Sequence, residues 1–224
     1  MGVNRFRIIV PLAGVVLAGF GVLASSAVAK PELKYHVVAP ALSVAEEVPT
    51  PTPTPRPVPY NGPVASLYLA SAGISASWPV EKRDTTFEGG REVFENPSHP
   101  EQIAWYARFG QPGYAANNSI FAAHINYIHY GNGPFAYLTS AKVDDALYVT
   151  MDNGVSYTYT VKSVAVVSLT DLQNGAMDAY VFPALDSYHE RVTLISCGGD
   201  FVPRAGGGGD YTSRVILVAE RYVN

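Results

Sequence analysis

The sequence has one cysteine, Cys197, in 224 residues. A lone thiol cannot staple its own chain, so no internal disulfide framework is available. Charge is scarce as well: Asp, Glu, Lys and Arg make up 15% of the chain, and the formal net charge is −4. No basic patch stands out, which argues against a nucleic-acid partner. The histidines are scattered and only one cysteine is present, so no metal-ligand spacing exists and a zinc site is not expected. Strong helical periodicity is rare and no internal repeat is found, which sets aside helical bundles and solenoids. What the chain has in abundance is Tyr, 15 residues, together with 20 Gly and 17 Pro. With so few charges, that balance leans towards β structure with many turns. The length suits one ordinary domain plus extra segments, enough to bury a core.

The N-terminus is a separate matter. Arg5 and Arg7 precede an uncharged stretch, residues 8–29, that reads as an export signal or membrane anchor. "AVA" at 27–29 resembles a signal-peptidase site, which would release the remainder. The same stretch, at about 20 residues, is long enough to span a bilayer as an apolar helix. Its basic flank places the short end in the cytoplasm. Either outcome leaves the rest extracytoplasmic, anchored to the cell membrane or secreted. Next, "VPTPTPTPRPVP" at 48–59 alternates proline and favours an extended polyproline II spacer. The expected organisation is a signal peptide or anchor at 1–29, a Pro-rich flexible linker at 30–62 and a globular domain at 63–224.

Within that domain the pattern is of short apolar strands. Residues 64–74 hold one or two, 118–125 hold a buried one, and 146–151 and 155–167 flank a hairpin turn at Asn153-Gly154. In the last of these Val155, Tyr157, Tyr159 and Val161 alternate with Ser156, Thr158, Thr160 and Lys162, the period of a half-buried strand. Residues 191–197 and 213–223 are two more. Residues 168–180 suit a short helix capped by Ser168 or Thr170. The fold class is all-β, a single-domain barrel or sandwich.

Cys197 ends the apolar run 191–197 and precedes Gly198-Gly199. Strand alternation puts Val192, Leu194 and Ser196 on one face, and Thr193, Ile195 and Cys197 on the other. A thiol at such a rim is exposed to oxidation unless it has a use, and a nucleophile is one use. A small buried hydrophobe is the plainer reading. A free thiol is only a few per cent ionised at neutral pH, so a nucleophile needs a base and a cation. His36 lies in the expected linker and His99, His129 and His189 near loops or the cysteine strand's entry, whereas His124 closes the apolar strand "SIFAAH". Arg214 opens the final apolar strand, after a loop with four consecutive glycines. If the last two strands are antiparallel neighbours, Cys197 and Arg214 share a rim, and a guanidinium there can hold a developing oxyanion. Arg204 and Arg221 read as decoration of strand ends.

"FAAHINY" around His124, "TLISCGG" at 193–199 and "SRVILVAE" with Arg214, in that chain order, resemble the sortase family of cysteine transpeptidases. The resemblance extends over residues 64–223 and is most like class F, with class E next. It implies a sortase-type closed β-barrel of about eight strands with short helices, making 63–224 a sortase-like catalytic domain. It also implies a division of labour: Cys197 as nucleophile, His124 as acid–base group and Arg214 as substrate and oxyanion binder. The implied substrate is a peptide or protein with an LPxTG-like sorting motif, cleaved through a thioester and passed to an amine acceptor of the cell wall. The alternatives are a sortase-fold hydrolase and a non-catalytic peptide-binding surface domain. No metal or organic cofactor is required by this chemistry, and the membrane is a partner only through the N-terminal segment. Ala123 stands where the family often has Gly, and Ser196 where it often has Thr. The S-H-G-C run of L,D-transpeptidases is absent, and papain-like and NlpC-like peptidases place Cys before His, the reverse of the order here.

Overall fold

The computed structural model describes residues 58–205 and 208–223. The apolar segment 8–29 and the proline alternation up to residue 57 lie outside the described residues. Among the described residues no helix is long and apolar enough to cross a membrane.

Eight strands make one sheet. They are β1 (Val64–Tyr68), β2 (Val80–Lys82), β5 (Ile103–Trp105), β6 (Asn117–Ala122), β9 (Ala146–Met151), β10 (Ser156–Ser168), β11 (His189–Pro203) and β12 (Gly209–Tyr222). Two hairpins stand apart from it: β3 (Thr85–Glu88) with β4 (Arg91–Phe94), and β7 (Asn126–Tyr127) with β8 (Gly131–Asn132). The order across the sheet is β1-β9-β10-β12-β11-β6-β5-β2. The two outermost strands, β1 and β2, approach each other without a hydrogen-bonded ladder. The expected closed barrel is therefore a nearly closed one. Pairing is antiparallel except for β6 with β11 and β2 with β5, which run parallel. A parallel pair needs a long crossover, and residues between β6 and β11 supply it with β7–β10 and the helical turns.

Alternation along the strands builds two apolar layers. Leu67, Phe121, Leu147, Val149, Tyr159, Val192, Leu194 and Leu217 fill the barrel interior. Tyr106, Ile120, Val167, Ile216 and Val218 point to the outer face, where Val181, Leu172 and Met177 cover them. Each such burial contributes about 1.5–3 kcal/mol relative to exposure. The cover comes from α1 (Leu169–Asp171) and α2 (Met177–Tyr180), joined through Leu172–Ala176. Ser168 caps α1, its hydroxyl accepting from the Asp171 amide at 3.0 Å. Of the two expected caps, Ser168 is the one used. Asn174 and Gly175 leave helical geometry, Gly175 with φ 108°, so the expected helix over 168–180 is broken in the middle.

Two strand expectations change. The stretch 64–74 ends its strand at Tyr68, turns through Ala70–Ala72 and closes with a Leu69–Ile74 bridge. The cysteine strand does not stop at Cys197. It continues through Gly198-Gly199 to Pro203 beside β12, with a break in register between Gly198 and Phe201. Gly199 has φ 73°, a left-handed conformation that glycine adopts at little cost. Such a bulge bends and twists the strand while the ladder carries on. Cys197 thus sits within a long hairpin strand, not at a strand tip.

Candidate active site

Three adjacent strands bring the three expected residues together. β11 lies between β6 and β12. Cys197 is directly opposite Arg214 in the β11–β12 ladder. On the other side, Ala122 is in register with Ile195, and the Ala123 amide donates to the Ile195 carbonyl at 3.2 Å. Two further residues along each parallel chain place His124 beside Cys197. Neighbouring strands are about 4.8 Å apart, so the thiol stands between imidazole and guanidinium. All three share the parity of Ala122, Ile195 and Ile216, and therefore project from the outer face of the sheet.

They line a groove of about 460 Å³ together with those three apolar residues. One wall is the β3–β4 hairpin with Thr85, Arg91, Glu92 and Phe94, and the other is the helical segment with Leu169, Leu172 and Met177. The lining is mostly apolar, with Thr85, Arg91, Glu92, Asn96 and Gln173 among its polar residues beside the three candidates. Glu92 accepts from the Thr85 hydroxyl at 2.5 Å and from Arg108. Those two hydrogen bonds, Thr85 first, hold its carboxyl below the usual carboxylate range, so it is an anion on the groove wall.

Each of the three side chains has a distinct environment. Cys197 is a free, half-buried thiol. Arg214 donates from Nη1 to the carbonyls of Ser213 at 2.9 Å and Tyr211 at 3.3 Å. It forms no ion pair among the described residues, which leaves donors of its fork for a ligand. His124 is half-buried, and burial alone pushes its imidazole below the ordinary value of 6.5. The ring is therefore neutral at pH 7 and can accept a proton. Its carbonyl accepts from the Phe135 amide at 3.2 Å. Gly133 packs so close that a Cβ there would lie 2.4 Å from the same carbonyl oxygen. Sequence reasoning passed over Gly133 because a glycine between turn residues looks unremarkable.

The other histidines are elsewhere or otherwise engaged. His189 pairs with Asp186 at 2.7 Å, and His99 lies edge-on to Tyr130 with centroids 5.0 Å apart. His129 sits in the β7–β8 turn at φ 71°, and His36 lies outside the described residues. Arg204 forms an exposed pair with Asp210, as a decorating residue would. Arg221 does not fit that reading. Its Nε donates at 2.5 Å to Glu190, whose side chain is fully buried, and its guanidinium stacks 4.7 Å over the Tyr157 ring. No cluster of His, Cys, Asp or Glu among the described residues could hold a metal ion.

Residues 73–222 match the sortase domain family. The chain belongs to the sortase family. Similar solved structures include sortase A from Corynebacterium diphtheriae, 21% identical with a TM-score of 0.47, where the match covers 76% of this sortase and 62% of that chain. Another is the SrtA sortase from Actinomyces oris, 18% identical with a TM-score of 0.49, covering 76% of this sortase and 86% of that chain. A third is sortase C1 from Streptococcus agalactiae, 18% identical with a TM-score of 0.47, covering 71% and 67%. This sortase thus spans less than two thirds of the C. diphtheriae chain. No curated protein matched it significantly.

Proposed function

We propose that this sortase is a surface-located cysteine transpeptidase that acts on a sorting-signal peptide of LPxTG-like type. The observation that carries the proposal is the placement of Cys197 between His124 and Arg214 in a mostly apolar groove. The groove accepts an extended peptide. The Cys197 thiolate attacks the carbonyl carbon of the scissile bond, and a C–S bond forms as the carbonyl oxygen takes the electron pair. Arg214 faces that oxygen with its free donors, in the role of an oxyanion binder. The C–N bond then breaks, and protonated His124 gives its proton to the departing amine. A thioester remains on Cys197. An incoming amine loses a proton to His124 and attacks the thioester, releasing the thiol and forming a new amide. With water in place of the amine, the product is a free acid.

The neutral state of His124 at rest means that the thiol proton has an acceptor nearby. In resting structures such contacts are often long and tighten only when substrate binds. The N-terminal apolar segment, kept as an anchor, would hold the enzyme on the outer side of the membrane. Class F is the subclass that the short "CGG" run at 197–199 and the compact length resemble most. The test is incubation of the protein with LPxTG-like peptides, with and without an added amine. A product carrying the amine supports the transpeptidase. Free acid alone, in the presence of the amine, would replace it with a hydrolase.

A further inference from the structure

A general acid–base imidazole works only if its ring is held in one orientation, and the usual holder is a third polar group, often a carboxylate. His124 has none. Among the described residues no carboxylate pairs with it, and neither ring nitrogen has a hydrogen-bond partner. What its ring meets is the ring of Tyr127, with centroids 5.3 Å apart and planes at 60°. We propose that Tyr127 is the positioning residue for His124, holding the imidazole beside Cys197 by ring contact in place of a carboxylate. The inference rests on the reading of His124 as the acid–base group.

Tyr127 is built to hold still. It lies on β7, opposite Gly131 of β8. Its ring is backed by Tyr130 at 6.1 Å, and Tyr130 is in turn edge-on to His99 at 5.0 Å. The preceding residue, Asn126, donates to the Tyr211 hydroxyl at 2.9 Å and can accept from it at 3.2 Å. That ties the hairpin to β12 a few residues before Arg214. Gly133 closes the hairpin's base by donating to the Ile125 carbonyl at 2.9 Å. Yet Tyr127 remains 50% exposed, so burial in the core does not account for its place. Edge-to-face contacts between rings at such distances are favourable and directional. The hydroxyl is not needed for that contact, whereas the ring is. Cys197, Arg214, Arg91, Glu92 and Tyr106 are the other titratable or charged groups of the groove that His124 lines.

The test uses the full chain and two readouts. The first needs no substrate: ring-to-ring magnetisation transfer between His124 and Tyr127 by NMR. Tyr127→Phe should retain that transfer to the new ring. The second is kinetic, with the peptide that turns over best. Tyr127→Ala should lower kcat about 10- to 100-fold, part of the ~10²–10⁴-fold that an acid–base group contributes, with KM little changed. Tyr127→Phe should restore most of it. In a His124→Ala background, Tyr127→Ala should cost nothing more. A further loss in that background, or a rise in KM with kcat intact, would overturn the proposal and make Tyr127 a substrate contact. If no peptide turns over, the transpeptidase reading fails. The NMR arm then decides alone, since absence of the ring contact in solution would refute positioning.

Discussion

At the scale of single residues, the account turns on a proton and an oxyanion. Burial favours the neutral imidazole of His124, because a charged ring loses solvation in the groove wall. An NMR titration should give a midpoint below 6.5, the ordinary value. A midpoint above it would mean that an anion governs the ring. The stability sign follows: the folded state disfavours protonation, so this group's contribution falls as pH drops below the unfolded value and levels off below the folded one. Arg214 is held by carbonyls of its own strand and has donors left over. Arg214→Ala should therefore lower kcat, and Arg214→Lys should not restore it, since an ammonium lacks the planar fork. Equal rates for Arg214→Lys and the parent would show that charge alone suffices. Removing one oxyanion donor costs about 10²–10³ in kcat in well-studied hydrolases, and a loss of that order is expected. These side chains could be singled out early, because a lone thiol and a histidine ending an apolar strand are rare features of a β-rich chain. Tyr127 was not, since a tyrosine among 15 carries no mark until a ring is found against it.

At the scale of elements, glycines set the geometry. A Cβ at Gly199 would lie 2.6 Å from both Ser213 Oγ and Thr212 Oγ1, at a φ of 73° that side chains seldom adopt. Gly199→Ala should shift the β11–β12 ladder where Cys197 faces Arg214. Activity should fall more than stability, as read by kcat beside a urea midpoint. Gly133→Ala would press on the His124 carbonyl and should likewise reduce turnover. If both variants turned over like the parent, the local backbone would be softer than described. Ser168→Ala removes the α1 cap and should cost about 1 kcal/mol, seen as a lower urea midpoint with Cys197 chemistry intact. The strand pair 146–151 and 155–167 could be read from its alternation around Asn153-Gly154. The extension of β11 past Cys197 could not. Paired glycines usually end a strand, and only the partner strand β12 shows that here they make a bulge.

At the scale of the whole molecule, the barrel fastens itself through one buried ion pair. Glu190 accepts from the Tyr159 hydroxyl, the Gly113 amide and Arg221 Nε. This ties β11 to β10, β12 and the segment before β6. Burial pushes the Glu190 carboxyl above its usual range despite these donors. The fold thus binds that proton more tightly than the unfolded chain does. This group's contribution is largest below the unfolded value of 4.5 and is lost as pH rises through the folded one. Arg221→Ala would leave the carboxyl buried without its cation and should cost about 3–5 kcal/mol, measured by urea unfolding. A cost under ~1 kcal/mol would mean that the pair is as weak as a surface salt bridge. None of this was legible in residues 186–191, the polar segment that holds His189 and leads into the cysteine strand. Burial of its glutamate depends on β6, β10 and β12 meeting there. The all-β class was legible from composition and period-2 runs. The nearly closed order of the sheet was not, because the parallel pairing of β6 with β11 joins segments far apart in the chain.

The most direct test of the central claim is intact-mass spectrometry of the full chain, and of its Cys197→Ala variant, mixed with LPxTG-like peptides. The account predicts an acyl adduct on Cys197 that disappears when an amine is added, with an amide product appearing in step, and neither event in Cys197→Ala. Turnover by Cys197→Ala, or an adduct on any other residue, would contradict it.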